Sequence, residues 1–203
     1  MTAGLLIALA LVAVAFGAVA VAQAPGDAGR GQDVFAGKHC VRCHQARVRP
    51  GVGPPLEALR RPQGAYELAG RLWNHAPGMF TVLKHEGIDW PRIDDKEMAD
   101  LMAYLLADPS RDPPPDAFKG QVTLVGKGCL KCHTWRKEGG RIGPDLAEQR
   151  PSYTSAAMWS AAMWTHTPRM AAAALQQGVL YPRFTGDEMA HLIGYLRRGA
   201  ARP

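Results

Sequence analysis

The clearest pattern along the chain is a stripe of hydrophobic residues at helical spacing, and it occurs twice. Near the end of each half of the sequence, apolar side chains recur three and four positions apart, as on one face of a helix. The residues on these two faces are Met98, Leu101, Met102 and Leu105, and Met189, Leu192, Ile193 and Leu196. Both stretches are predicted to be helices, and Asp94 or Asp95 can cap the first.

Two shorter helices are predicted ahead of the first stripe. One begins near Gly31. The other surrounds Tyr66 to Asn74, and Pro77 is expected to end it soon afterwards because proline lacks the amide that a helix interior uses. No alternating strand pattern of useful length is present. The chain is therefore predicted to be all-α, with glycine- and proline-rich loops between the helices.

Most of the chain is a tandem repeat, offset by 89 to 91 residues. The stretch "GQDVFAGKHCVRCH" aligns with "GQVTLVGKGCLKCH", and "WNHAPGM" aligns with "WTHTPRM". One domain has been duplicated, with single-residue length changes in its loops. The predicted boundaries are 27–109 for domain 1, 110–115 for a stiff proline-rich linker and 116–199 for domain 2.

The N-terminus predicts export. Residues 3–22 are apolar throughout, and small residues at signal-cleavage spacing follow them. Residues 1–24 are therefore interpreted as a signal peptide or as a membrane anchor in the form of an N-terminal hydrophobic helix. The absence of a basic residue ahead of the apolar stretch argues against a signal peptide. The many Ala and Val residues within the stretch argue against a membrane-spanning helix. Either interpretation places the rest of the chain on the periplasmic side of a bacterial inner membrane, soluble or anchored.

All four cysteines lie in two Cys-x-x-Cys-His motifs, "CVRCH" and "CLKCH". Disulfides do not require the following histidine, and a zinc site made from both cysteine pairs leaves the histidines without a role. Covalent haem c uses every residue, because the thiols bond the two vinyl groups and the histidine is the proximal iron ligand. We predict two covalently attached haem c groups, held by Cys40, Cys43 and His44 and by Cys129, Cys132 and His133.

With these motifs the repeat resembles the small monohaem cytochrome c fold, here in tandem. The resemblance also rests on Gly31 and Phe35 before the first motif and on Leu101 and Tyr104 in the last helix. It implies that the first and last helices of each domain cross at a glycine, with aromatic rings at the crossing. Domain 2 departs from this pattern, since Leu124 takes the place of the phenylalanine.

The resemblance also assigns roles to the prolines that follow the motifs. It implies that the carbonyls of Pro54 and Pro144 accept the Nδ1–H of His44 and His133 and so fix each ring. Ordinary turn formation is the alternative role for both prolines.

The distal iron ligand is the open question. The family usually supplies it from a Met-Pro dipeptide before the last helix, which here has become Trp-Pro and Tyr-Pro. Met79 and Met170, which each follow a proline at an expected helix break, are predicted to be the distal ligands. The alternatives are His75 and His166, Met98 and Met189, or an open site. Four aromatic residues are expected to pack on the porphyrin and exclude water: Trp73, Trp90, Trp164 and Tyr181.

Charge and composition bear on partners. The first 110 residues hold 11 basic and 11 acidic residues, and the rest hold 13 and 7. This asymmetry predicts different partners for the two haems, at least one of them acidic, although scattered solvated charge is the alternative. Nucleic acid is not an expected partner.

The predicted function is single-electron relay by a dihaem c-type cytochrome that is not an enzyme. It would connect a redox protein donor and an acceptor in an exported respiratory or photosynthetic chain, as a shuttle or as a subunit of a membrane complex. The alternative is a dihaem peroxidase or sulfur-compound oxidase with one open iron. The shared Trp-x-His-x-Pro-x-Met in both halves argues against that alternative.

Overall fold

The computed structural model describes residues 25–45 and 53–200, so the predicted signal peptide or anchor lies outside the described residues. Those residues are mostly helical, which confirms the predicted fold class. Within them, no helix is both long and apolar enough to cross a membrane. The helices are α1 (Ala28–Gly37), α2 (Leu56–Leu59), α3 (Ala65–His85), α4 (Asp95–Tyr104), α5 (Ala117–Gly126), α6 (Ala156–Gln176) and α7 (Glu188–Ala200).

The first and last helices of each domain cross at a glycine. A Cβ at Gly31 of α1 would lie 2.0 Å from the backbone oxygen of Asp100 in α4, so this contact requires a residue without a side chain. The rings of Phe35 and Tyr104 pack at this crossing with centroids 5.6 Å apart. In domain 2, α5 crosses α7 at Gly120, where a Cβ would lie 2.2 Å from the backbone oxygen of His191.

The last helices bury the predicted faces. Asp94 caps α4 and forms a capping box with Glu97, which satisfies two free backbone amides. The apolar residues on both predicted faces are at most 5 % exposed, and Met98 is fully buried. The periodicity therefore predicted these two helices and their core-facing sides correctly.

Helix α3 is longer than predicted, because Pro77 does not end it. The helix continues to His85, and α6 continues through Pro168 in the same way. A proline leaves the carbonyl four residues earlier without its helical donor, which for Pro168 is the carbonyl of Trp164. The indole Nε1 of Trp90 donates to that oxygen at 2.9 Å, and this contact from the other domain replaces the lost helical bond. The expected helix break at Met79 and Met170 was therefore wrong.

A small hairpin in domain 2 was also missed. Strands β1 (Thr134–Trp135) and β2 (Glu138–Gly139) pair antiparallel around a two-residue turn. The turn residues, Arg136 and Lys137, both have positive φ, as in the tight turns that join hairpin strands. Two-residue strands are too short to show alternation, so the sequence could not reveal them.

The two domains pack through their long helices. Helix α3 of domain 1 lies against α6 of domain 2, and α4 also contacts α6. The side chain of Asn74 bonds both backbone groups of Phe184, with Nδ2 2.7 Å from the oxygen and Oδ1 2.8 Å from the nitrogen. At the predicted linker, Asp112 accepts from the amides of Ala65 and Tyr66 at the start of α3. Tertiary contacts therefore hold both the domain interface and the linker.

Candidate functional site

Each Cys-x-x-Cys-His motif forms a tight turn directly after the first helix of its domain. Cys40–Arg42 and Cys129–Lys131 are single turns of 3₁₀-helix. The residue before each turn is left-handed, His39 with φ 66° and Gly128 with φ 72°. The amides of His44 and His133 then donate to the carbonyls of Cys40 and Cys129 at 3.0 Å. The same local fold is thus built twice from different flanking residues.

The motif of domain 1 lines a cavity of about 360 Å³. Cys40, Cys43 and His44 contribute to its wall together with Gly53 and Pro54. Most of the remaining lining is aliphatic and comes from α2, α3 and α4, including Leu59, Leu68, Leu72, Leu101 and Leu105. A pocket of this size and lining suits a large, flat and mostly apolar ligand.

No disulfide joins the four cysteines, all of which lie within the residues that the structure describes. Burial raises the pKa of Cys40 to about 11, and burial does the same for Cys129. Within residues 25–45 and 53–200, no group of three or more His, Cys, Asp or Glu side chains could hold a metal ion. The structure therefore does not bring the two cysteine pairs together as a single zinc site would require.

The histidine rings are held in one orientation. Nδ1 of His44 lies 3.0 Å from the carbonyl oxygen of Pro54, and Nδ1 of His133 lies 2.9 Å from that of Pro144. With Nδ1 donating its proton, the other ring nitrogen remains available to an iron. The glycine before each proline permits this approach, since a Cβ at Gly53 would lie 2.7 Å from the ring of His44. This arrangement fits a proximal haem ligand.

Both leading candidates for the distal ligand in domain 1 lie on α3 and line the same cavity. His75 and Met79 are four residues apart, so they share one face of the helix. Nδ1 of His75 lies 2.6 Å from the carbonyl oxygen of Arg71, which leaves its other nitrogen available. Met79 is partly buried against the core, whereas His75 is exposed.

Domain 2 repeats this arrangement on α6. Nδ1 of His166 lies 2.5 Å from the carbonyl oxygen of Ala162, and Met170 is partly buried against the core. The third pair of candidates, Met98 and Met189, is at most 1 % exposed within the core. Met98 also lines the cavity of domain 1, and both methionines pack in the core on the last helix of their domain.

Domain 2 also contains a buried hydrogen-bond donor, the indole N–H of Trp159. Trp159 is 5 % exposed, and its Nε1 has no hydrogen-bond partner among the residues that the structure describes. Its counterpart in the repeat, Leu68, lines the cavity of domain 1. Because haem carries two carboxylates and buried donors are normally paired, a haem in domain 2 would be a suitable partner for this indole.

One candidate haem-contacting residue of the cavity in domain 1 was missed by the sequence analysis. Arg71 lines the cavity and donates to Oε1 of the buried Gln63, and burial lowers the pKa of Arg71. A guanidinium in this position can pair with a haem carboxylate. The repeat gave no signal for it, because domain 2 has Ala162 at the matching place. Trp164, which was expected to pack on a porphyrin, belongs to domain 2 but lines the cavity of domain 1.

The four aromatic residues expected on the porphyrin form an interface between the domains. Trp90 stacks on Trp164 with centroids 4.1 Å apart, and Trp73 stacks on Tyr181 at 5.2 Å. Each pair joins one residue from each domain. The sequence analysis expected these rings on the porphyrin and did not foresee that they would pair across the domains.

Comparison with known proteins agrees with this geometry. The family model for Cytochrome c matches the chain twice, at residues 28–107 and 118–200. No curated protein sequence matches the chain. The two matches each contain one Cys-x-x-Cys-His turn and one long helix that carries the methionine and histidine. The chain therefore belongs to the cytochrome c family, as a tandem of two haem c electron-transfer domains.

Proposed function

We propose that the protein is a dihaem cytochrome that relays single electrons between two redox partner proteins and catalyses no reaction of its own. The observation that carries this proposal is the cavity of domain 1, which is lined by the haem-attachment motif and also by Met79 and His75. When bound, haem c supplies an iron that cycles between the ferric and ferrous states. If His44 and Met79 both bind that iron, it would have no position for a substrate.

Met79 and Met170 are the distal ligands in this proposal. Each is partly buried against the core, while the histidine one turn earlier is exposed. A thioether is a soft, neutral ligand that favours ferrous iron, so methionine ligation would give both haems high potentials. His75 and His166 remain the competing ligands and would lower both potentials.

The proposed setting is the periplasmic face of a bacterial inner membrane, where the protein acts as a shuttle or as a subunit of a membrane complex. The apolar N-terminus supports export. The excess of basic residues after residue 110 supports an acidic partner for domain 2. With such a partner, electron exchange should slow as ionic strength rises.

Carbon monoxide tests the proposal, because it binds ferrous haem that has an open or weakly held position. We expect the optical spectrum of the reduced protein to be unchanged by the gas. The variant Met79→Ala should bind carbon monoxide at one of the two haems, whereas His75→Ala should resemble the unmodified protein. The opposite result for these two variants would assign the distal ligand to His75. Rapid binding by the unmodified protein would instead support the alternative of a dihaem enzyme with an open iron.

A further inference from the structure

The loop before the last helix forms part of each haem-binding region. In domain 1 this loop carries Trp90 and Pro91, and it continues to Ile93, which is 3 % exposed and lines the cavity. In domain 2 the matching residues are Tyr181 and Pro182. This is the loop that supplies the distal methionine in the usual family pattern. Here its aromatic and proline residues face the other domain.

Trp164 of domain 2 holds this loop of domain 1 through three contacts. Its indole Nε1 donates to the carbonyl oxygen of Pro91 at 2.7 Å. Its backbone oxygen accepts from Nε1 of Trp90 at 2.9 Å, and the two indole rings stack at 4.1 Å. Trp164 is 6 % exposed and also lines the cavity of domain 1. One residue of domain 2 therefore completes the pocket wall of domain 1.

Trp73 of domain 1 makes the reciprocal contact. Its Nε1 donates to the carbonyl oxygen of Pro182 at 2.7 Å, and its ring stacks on Tyr181 at 5.2 Å. The indole also lies 6.4 Å from Trp159, measured between ring centroids and with nearly parallel planes. Trp159 occupies the place of the cavity-lining Leu68, so Trp73 lies against the haem region of domain 2.

We propose that each haem pocket is closed by a tryptophan of the other domain. Trp164 is thus a positioning residue for the haem of domain 1, and Trp73 is one for the haem of domain 2. Each acts by fixing the loop that excludes water from the opposite pocket, and water exclusion raises a haem potential because it disfavours the more highly charged ferric form. This inference rests on the proposed function, since it requires a haem in each domain.

The test is a pair of crossed substitutions in the full haem-loaded protein. Trp164→Ala, in domain 2, should lower the midpoint potential of the domain 1 haem. The expected size is about a tenfold change in its ferrous-to-ferric ratio at fixed ambient potential, about 59 mV for a one-electron couple. The haem of domain 2 should change less than twofold. Trp73→Ala should give the reverse pattern. Trp164→Phe and Trp73→Phe keep the ring and remove the N–H, and should give smaller shifts in the same crossed sense.

A spectral marker identifies the haems. Adding Cys40→Ala to each protein leaves the domain 1 haem with one thioether bond and one intact vinyl group, which moves its reduced absorption band away from that of the other haem. As a second measurement, carbon monoxide should bind detectably to the marked haem in Trp164→Ala but not in Trp73→Ala.

The outcomes separate this inference from the proposed function. A shift in midpoint potential at the haem of the domain opposite each substitution supports the inference. Two reversible haem couples with shifts confined to the substituted domain, equal shifts at both haems, or no shift would overturn it and leave electron relay intact. If the alanine variants do not fold, the phenylalanine variants decide in the same way. A chain that holds no haem would overturn both proposals.

Discussion

At the scale of single residues, the duplication shows two solutions to the same packing problem. Asp100 on α4 is buried, and its carboxylate accepts from the amide of Asp27 at 2.7 Å and pairs with Arg30 and Lys96. At the matching place on α7, Nδ1 of His191 accepts from the amide of Asp116 at 3.1 Å. Both side chains satisfy the amide of an N-cap residue, but only the aspartate needs cations to offset its charge.

The acid dependence of stability follows from Asp100. The hydrogen bond from Arg30 holds the pKa of Asp100 well below its usual range. Because the pKa of Asp100 is lower in the folded protein than the unfolded value of about 3.9, its ionised carboxylate stabilises the fold at pH values above about 3.9. This stabilisation decreases as the pH falls below that value. Asp100→Asn should therefore lower the free energy of unfolding at pH 7, and its deficit should shrink as pH falls from about 5 to about 3. Denaturant unfolding across this range measures the effect.

The exposed Asp33 on α1 offers the matched control. Asp33→Asn should leave stability close to that of the unmodified protein at neutral pH. A deficit for Asp100→Asn that stays constant from neutral to acid pH would show that lost packing, and not charge, is responsible.

At the scale of helices, the prolines of α3 and α6 serve the interface between the domains. Pro168 has no amide, so the carbonyl of Trp164 is free to accept from Trp90 of domain 1. In α3 the segment after Pro77 is held by Phe80, whose ring meets Trp90 edge-on at 5.8 Å. Helix α6 thus continues past its proline with the free carbonyl paired across the interface, and α3 continues with Phe80 packed against Trp90.

This exchange of hydrogen bonds predicts coupling between Trp90 and Pro168. Trp90→Phe leaves the carbonyl of Trp164 unpaired and should cost about 1–3 kcal/mol of unfolding free energy. In a Pro168→Ala background the new amide can reclaim that carbonyl, so the cost of Trp90→Phe should fall by at least about 0.5 kcal/mol. Urea unfolding of the four proteins gives the coupling energy. Pro77→Ala is the control, because the carbonyl that this proline leaves without a helical donor lies in α3 and not in α6. If the costs of Trp90→Phe and Pro168→Ala are additive, the exchange of hydrogen bonds is refuted.

At the scale of the whole molecule, the two domains are joined by polar contacts with defined geometry as well as by stacked rings. Asn74 bonds both backbone groups of Phe184 across the interface. Its counterpart Thr165 bonds only the carbonyl of Ala161, within its own helix. The repeat is therefore symmetric at Trp73 and Trp164 and asymmetric at this neighbouring position.

Asn74→Ala should weaken the interface. It leaves the N–H and carbonyl of Phe184 without these partners, so we expect a loss of about 1–3 kcal/mol of unfolding free energy. Hydrogen exchange at the Phe184 amide should accelerate well beyond that of amides in α4. Thr165→Ala is the matched control, with an expected change within about 0.5 kcal/mol. Unchanged exchange at Phe184 would mean that this contact does not hold the domains together.

The sequence by itself determined the chemistry and the helical framework. Haem attachment needs its thiols and imidazole in one contiguous stretch, so the two motifs are readable without a fold. The stripes around Met98 and Met189 are equally local, because a buried helix face imposes its own period. The duplication then indicated two equivalent domains, whereas the short hairpin at Arg136 and Lys137 could not be predicted because two-residue strands leave no period.

Only the tertiary structure decided what lies beside each pocket. Local rules end α3 at Pro77, whereas packing at the interface carries it to His85. Arg71 became a pocket residue through the fold, because its counterpart Ala162 gave no repeated signal. The position of Trp164 in the wall of the other domain depends on contacts between residues more than 70 positions apart. Such contacts have no period along the chain, so only the packed domains reveal them.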